Sequence, residues 1–356
     1  MNSIQLSSYS IHFLATAYQD LNQWISAHDF SKIFVLVDSN THKNCLKPFL
    51  EELETQSEIE IIEIEPGEGH KSIETCTQLW QTLADLEADR SSLLFNLGGG
   101  IVTDIGGFVA STFKRGIPFV HVPTTLLGMV DAAIGGKNGV NAGVLKNQIG
   151  LIQTPQKVII DPRFLATLDQ AEMRSGLAEM IKHGFIADRE YLDTFLDLSN
   201  FSIEKLNELI ERSVEIKTQI SEDDPQEKGM RKALNFGHTL GHAIESYAME
   251  NKDFPHLLHG EAVAIGMILA LNLSKQTQAF DEKLYLKYTQ LIQTYFSKVT
   301  FSEKAITAII ELLKHDKKNS KGQINFVLLS EIGAPALNCQ VSNDMIYTAF
   351  EAYQDL

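Results

Sequence analysis

Three separated segments carry residue types that suit a divalent metal: Ala178-Glu179-Met180-Ile181-Lys182-His183, Asn235-Phe236-Gly237-His238-Thr239-Leu240-Gly241-His242 and Leu258-His259-Gly260-Glu261. Two imidazoles and a carboxylate drawn from such segments leave one coordination position open, the pattern of a catalytic rather than a structural metal site. His238 and His242 are four residues apart and share a helix face, but no Glu follows His238 directly. The His-Glu-x-x-His helix of zinc peptidases therefore does not fit. Taken singly, each residue has a plainer reading. A lone helical His is more often packed or solvated than ligating, and Glu179 with Lys182 has the spacing of a helical ion pair.

A second group of residues suits a nucleotide. Leu97-Gly98-Gly99-Gly100-Ile101 follows an expected strand and opens an expected helix over 102–113. Glycine lets the backbone approach a pyrophosphate, and the N–H groups of a helix start point at it. The motif is neither the dinucleotide fingerprint nor a P-loop, and a tight strand-to-helix turn explains it equally well. Asp38-Ser39-Asn40, at the end of the first parallel strand, offers a carboxylate where ribose hydroxyls bind in such sheets. An N-cap is its plainer role. Pro123-Thr124-Thr125 and Gly135-Gly136-Lys137-Asn138-Gly139 read as further polar loops at the carboxyl ends of strands, and their concentration favours a cleft over ordinary turns.

These residues need elements to position them. Strands are expected at 32–37, 60–64, 92–96 and 118–122, with helices around 41–55 and 72–87 between them. That alternation is the signature of a parallel α/β sheet. From about Pro162 the pattern changes to long helical segments, with only 323–329 reading as a strand. The expected fold class is α/β: a Rossmann-like parallel domain over 1–161 followed by a mostly helical domain over 162–356.

Composition bounds the partners. The chain has 356 residues, 44% of them hydrophobic, so a buried core is available. A net charge of -16 argues against a nucleic-acid partner, because a phosphate polymer would be repelled and no basic stripe compensates. Small anions are different: Lys114-Arg115, Lys137, Lys146, Arg231-Lys232 and Lys317-Lys318 lie beside the glycine-rich or His-containing motifs. No apolar run reaches the roughly 20 residues of a membrane span, so no membrane role is expected. The start, Met1-Asn2-Ser3-Ile4-Gln5, does not read as a secretory signal, and Cys45, Cys76 and Cys339 are too scattered for a disulfide framework. The expected location is the cytoplasm.

Together the motifs resemble the 3-dehydroquinate synthase family, nearly end to end. The resemblance centres on Gly98-Gly99-Gly100-Ile101-Val102-Thr103-Asp104, Lys114-Arg115-Gly116, Val122 to Asp131, Gly135-Gly136-Lys137 and Lys146-Asn147. Gly176 to Lys182, Arg231 to His242, His259-Gly260-Glu261 and Asp316-Lys317-Lys318 extend it through the second half. It implies a lyase that uses NAD and Zn²⁺ or Co²⁺ to turn a phosphorylated seven-carbon keto-sugar acid into a carbocycle. A substrate hydroxyl is oxidised, phosphate is eliminated, the ketone is reduced, and the opened ring closes by an intramolecular aldol step.

The resemblance also implies roles. Glu179, His238 and His259 match the metal ligands; Asp131, Lys137, Asn147, Lys182, Lys217, Arg231, Asn235, His242 and Lys317 or Lys318 match the substrate shell. Asp38, Asn40, Glu68, Lys71, Gly98, Gly99, Gly100, Asp104, Thr124, Thr125 and Thr167 match the NAD shell, with Lys146 between the two sets. Glu227 and His242 match positions assigned to proton transfer. Arg115 matches an Arg that binds substrate phosphate across a homodimer interface, although a helix-end partner for the dipole is its plainer reading. Two departures stand out: Asn138 where the family usually has Thr, and a longer segment between His242 and His259. Other sugar phosphate cyclases and a metal-dependent polyol dehydrogenase of the same architecture are the rival readings; the lysines and arginines suited to phosphate favour the lyase.

Overall fold

Runs such as Ile33–Asp38 and Leu93–Gly98 are buried along almost their whole length, as expected of strands covered by helices on both faces. The computed structural model describes residues 3–143, 145–197, 202–313 and 324–356. Its strands are β1 Ser3–Gln5, β2 Ser10–Phe13, β3 Ile33–Asp38, β4 Ile59–Ile64, β5 Leu93–Gly98, β6 Phe119–Pro123, β7 Lys137–Ala142, β8 Leu145–Ile152, β9 Lys157–Ile160, β10 Phe326–Glu331 and β11 Ala334–Cys339. Seven of them form one sheet in the order β1-β2-β9-β6-β5-β3-β4, parallel except for the β1–β2 pair. The chain runs outward from β3 to β4 and then returns to β5 on the other side of β3. The order therefore reverses between β3 and β5, and ligands of open α/β sheets bind outside the carboxyl ends at such a reversal.

The helix Gly100–Thr112 lies in the core of this unit, with Val102, Ile105, Phe108 and Val109 packed among Phe34, Leu36, Leu94 and Phe119. Each such buried side chain contributes about 1.5–3 kcal/mol over leaving it in water. Gly106 and Gly107 mark its tightest approaches: a Cβ at Gly106 would meet Asn96 Oδ1 at 1.8 Å, and one at Gly107 would meet Asn138 Oδ1 at 1.9 Å. Asn138 in turn donates from Nδ2 to the carbonyls of Gly136 (3.0 Å) and Gln153 (2.7 Å), so its longer amide joins the two strands of a hairpin.

That hairpin, β7 with β8, is a correction to the sequence reading, which treated Gly135 to Gly139 as a loop. A strand rich in Gly and Asn has little β propensity and is held by its partner's backbone, so propensity alone misses it. The antiparallel edge strand β1, the strands β2 and β9, and β11 with its internal Pro335 were not anticipated either.

The chain divides into compact units 1–173 and 174–356. The pattern change at 161/162 comes earlier because the turn Pro162–Thr167 stays tied to the sheet unit. Asp161 receives the backbone N–H and the side chain of Arg163, and Tyr18 donates to its Oδ2 at 2.9 Å.

Among its described residues, the second unit has helices and the β10–β11 hairpin. Its centre is the helix His259–Gln278, buried on nearly every side and packed against His238–Glu250, Asn343–Asp355 and β10. Ser202, Asp281, Ser302 and Ser342 start surrounding helices, each side chain accepting a first-turn N–H. No helix among the described residues is long and apolar enough to cross a membrane.

Candidate active site

In the second unit, helix Gln170–Ala187 supplies Glu179 and Lys182, helix His238–Glu250 supplies His238 and His242, and His259 is the first residue of His259–Gln278. The longer segment before His259 does not displace it. Glu179 Oε1 lies 3.3 Å from His238 Nε2 and 3.5 Å from His259 Nε2. Two donors each about 2.1 Å from a tetrahedral ion stand about 3.4 Å apart, so these separations fit ligands waiting for a divalent metal. Lys182 forms an ion pair with Glu179 Oε2, yet neither oxygen of this fully buried carboxylate completes a hydrogen bond. A buried carboxylate in that condition is one a cation would satisfy.

The electrostatics differ among the three. Burial works to raise Glu179, but Lys182 and then His238 hold it well below the usual carboxylate range. His238 is pushed down to about 4 by burial and Lys182, against the pull of Glu179. His259 is raised to about 9 in spite of burial, because Glu245 and Glu179 both face it. His242 stands beside them, its ring centre 5.1 Å from that of His238 and 5.7 Å from that of His259. The three imidazoles could themselves hold an ion, their nitrogens lying within 4.8 Å of one another. The shorter approaches to Glu179 favour the carboxylate set, with His242 half-buried beside it.

Among the described residues of the same unit, three side chains of Lys and Arg are buried: Lys182 at 1% exposure, Lys217 at 6% and Arg231 at 1%. Burial of Lys and Arg is rare without a specific partner. Glu227 and Asn235 are joined, Asn235 Nδ2 donating to Glu227 Oε1 at 2.7 Å. The turn between Lys217 and Asn235 is organised by Asp224, whose carboxylate accepts the N–H groups of Lys228 (2.9 Å), Gly229 (2.6 Å) and Arg231 (3.2 Å). Lys317 and Lys318 lie outside the described residues.

In the first unit, Asp38 ends β3 and Gly98 ends the adjacent strand β5, on either side of the order reversal. Gly99 caps the helix that starts at Gly100, and the Thr124 N–H donates to Gly98 O at 3.0 Å, which joins the β6 loop to the glycine loop. Asp38 Oδ1 accepts Thr41 N at 2.8 Å, so the plainer capping role is real. Asn40 is exposed in that cap turn. The Cys45 thiol lies against the hydroxyls of Thr124 and Thr167, and burial pushes it up to about 11.

Lys71 unites a second cluster: its Nζ donates to Asp104 Oδ2 (2.5 Å) and Asn147 Oδ1 (2.6 Å), and Lys146 pairs with Glu68 Oε1 at 3.3 Å. Burial raises Asp104, and Lys71 opposes that. Asp131 sits in the turn Gly128–Ala132 and Lys137 begins β7. Arg115 lies in a segment of a different kind. The α-helix ends at Thr112, and Arg115 lies in an exposed turn where Lys114, Arg115 and Gly116 take φ values of 48°, 69° and 110°. The expected helix end is thus followed by a left-handed turn that carries Arg115.

Three residues of these clusters escaped the sequence reading. Glu245 accepts from His259 Nδ1 at 3.2 Å; its positions three and seven after His242 and His238 could have revealed it. Asn141 donates to Glu68 (2.9 Å) and accepts the N–H of Asn147 (2.9 Å), and nothing in its spacing points to that. Asp224 precedes Pro225, a turn-forming pair that could have been read as an anchor.

Comparison with known proteins shows what the chain as a whole is similar to. Residues 61–175 match the family described as 3-dehydroquinate synthase N-terminal, and residues 176–319 match 3-dehydroquinate synthase C-terminal. A 3-dehydroquinate synthase of Parabacteroides distasonis is 40% identical over 338 residues, covering 94% of this chain and 95% of that one. Another from Listeria monocytogenes is 38% identical over 358 residues, with 97% and 94% covered. Among solved structures, a 2-epi-5-epi-valiolone synthase from Streptomyces hygroscopicus with NAD⁺ and Zn²⁺ bound has a TM-score of 0.86 at 25% identity, over 100% of this chain and 99% of that one. An iron-containing alcohol dehydrogenase, at 15% identity and a TM-score of 0.68 over 99% of each chain, shares the fold.

Proposed function

The chain belongs to the 3-dehydroquinate synthase family, and on that premise we propose how its residues divide the family's reaction. The reaction converts 3-deoxy-D-arabino-heptulosonate 7-phosphate to 3-dehydroquinate and phosphate, a carbon–oxygen lyase step of the shikimate pathway to aromatic amino acids. NAD and Zn²⁺ or Co²⁺ are the cofactors. When bound, NAD takes up and returns one hydride, and the ion lowers the pKa of substrate hydroxyls.

Glu179, His238 and His259 hold the metal, supported by the separations of 3.3 and 3.5 Å that carry this reading. Asp38, Asn40, Glu68, Lys71, Gly98 to Gly100, Asp104, Thr124, Thr125, Lys146 and Thr167 bind NAD at the sheet's order reversal. Lys137, Lys182, Lys217 and Arg231 neutralise the substrate's carboxylate and phosphate, while Asp131, Asn147 and Asn235 orient it. His242 and Glu227 move protons, and Asn235 holds the Glu227 carboxylate in place. Arg115 serves the phosphate of a neighbouring subunit, so the active form is a homodimer. Three free cysteines fit a reducing compartment, the cytoplasm.

The test supplies purified protein with the seven-carbon substrate, NAD and Zn²⁺ or Co²⁺. Phosphate and dehydroquinate should form together without lasting NADH. NADH rising in step with substrate loss would instead identify a polyol dehydrogenase.

A further inference from the structure

Both proposed imidazole ligands present Nε2 to Glu179, and both have an acceptor at the other ring nitrogen. His238 Nδ1 faces the backbone carbonyl of Phe236 at 3.2 Å; His259 Nδ1 faces Glu245 Oε2 at 3.2 Å. A carbonyl cannot donate, so Nδ1 of His238 carries the proton and Nε2 keeps its lone pair. An ionised carboxylate likewise keeps a proton on His259 Nδ1, so Nε2 is the nitrogen that would give up its proton to a cation. The difference is that a main-chain carbonyl comes with the fold, whereas Glu245 is a side chain buried to 4% exposure, a location that disfavours a carboxylate without a specific partner.

We propose that Glu245 is a positioning residue for the metal site, fixing the tautomer and ring orientation of His259 so that Nε2 points to the ion. The placement couples two helices. His238, His242 and Glu245 fall at i, i+4 and i+7 on His238–Glu250, so one helix face presents a ligand, a proton carrier and the brace for the ligand on the next helix. His259 is the first residue of its own helix, where Glu261 Oε2 accepts the Leu258 N–H at 2.9 Å and sets the entry of the chain. That contact fixes the backbone of His259 but leaves the ring free to turn about its side-chain torsions, and Glu245 removes that freedom. A carboxylate behind the imidazole also raises its basicity toward the ion, and loss of such a partner typically weakens metal binding by about 10–100-fold.

This inference rests on the ligand set proposed above, and its test separates the two. Metal-free protein is titrated with Zn²⁺ against a chromogenic chelator, and with Co²⁺ while its visible spectrum is recorded; the melting temperature of each metal-free variant is measured alongside. Glu245→Gln keeps the shape and removes the charge. It should raise the Zn²⁺ Kd about 10–100-fold and alter the Co²⁺ spectrum, more than any change in metal-free melting accounts for. An unchanged Kd in Glu245→Gln, with metal lost in His259→Ala, overturns the role of Glu245 and spares the ligand set. Unchanged affinity in both variants overturns the ligand set itself. Should the Gln variant fail to fold, Glu245→Asp keeps the charge and shortens the reach: a raised Kd supports the proposal and a wild-type Kd overturns it.

Discussion

The carbonyl oxygen of Gly237 would lie 2.0 Å from a Cβ placed on Gly266, so helices His238–Glu250 and His259–Gln278 meet at backbone distance just where the first begins. No side chain can be inserted there without moving one helix. The same two helices bring His238 and His259 to Glu179, so the proposed metal site depends on this packing. Gly266→Ala should cost about 1–3 kcal/mol or more of stability and reduce bound zinc. Denaturant unfolding with metal analysis checks this; a variant that melts and binds zinc like wild type would show that the helices are not so constrained.

His238→Ala and His259→Ala should lose stoichiometric metal and turnover while keeping the wild-type circular dichroism spectrum. Chelation of the wild-type protein should abolish activity, and added Zn²⁺ should restore it. Full metal content in both variants would mean that other residues bind the ion.

Lys71 is 5% exposed and bridges Asp104 to Asn147. Lys71→Met leaves Asp104 without its cation, and breaking one side of a buried pair typically costs about 3–5 kcal/mol. NAD affinity, measured by calorimetry, should fall at least about tenfold, a loss of about 1.4 kcal/mol in binding. Wild-type affinity in a folded variant would remove this cluster from the nucleotide site.

Arg115→Ala and Lys182→Ala proteins should each be inactive, yet mixing them under subunit exchange should restore activity. A heterodimer would then contain one site with both lesions and one with neither. Proven exchange without recovery would mean that Arg115 acts within its own chain or not at all.

Burial drives His121 down to about 3, so the folded protein keeps this imidazole neutral. Below its unfolded value of 6.5 the unfolded chain takes up a proton that the native state refuses, so stability falls as pH drops from about 6.5 toward 3. One such group contributes a slope of up to about 1.4 kcal/mol per pH unit. His121→Gln should flatten the dependence of unfolding free energy on pH between 6 and 4 by that order. An unchanged slope would show that His121 is protonated in the native protein.

Much of the parallel sheet was legible because β-branched runs such as Ile33–Asp38 alternate with amphipathic helices, and hydrophobic pattern is the strongest local cue. The hairpin β7–β8 was hidden because Gly139 and Asn141 carry no such pattern and pair only through a distant backbone. The site divides in the same way. The motifs around His238 and His259 could be read from residue type and resemblance, whereas Glu245 and Asn141 matter through contacts 14 and 73 residues away that no local rule reports. Asn138, a departure in residue type, fits because Gly107 leaves space for its amide.

The Asp224 carboxylate, with three main-chain N–H groups gathered on it, settles an entropy cost in advance. A segment of this kind left loose would have to be frozen by substrate, at about 1–2 kcal/mol for each residue ordered. Here that ordering is completed during folding, and Arg231 Nη1, donating to Pro225 O at 2.9 Å, shares in it. In the role proposed for Arg231, attraction between its guanidinium and an anionic substrate would then appear as affinity, because little of it would be consumed in arranging the loop.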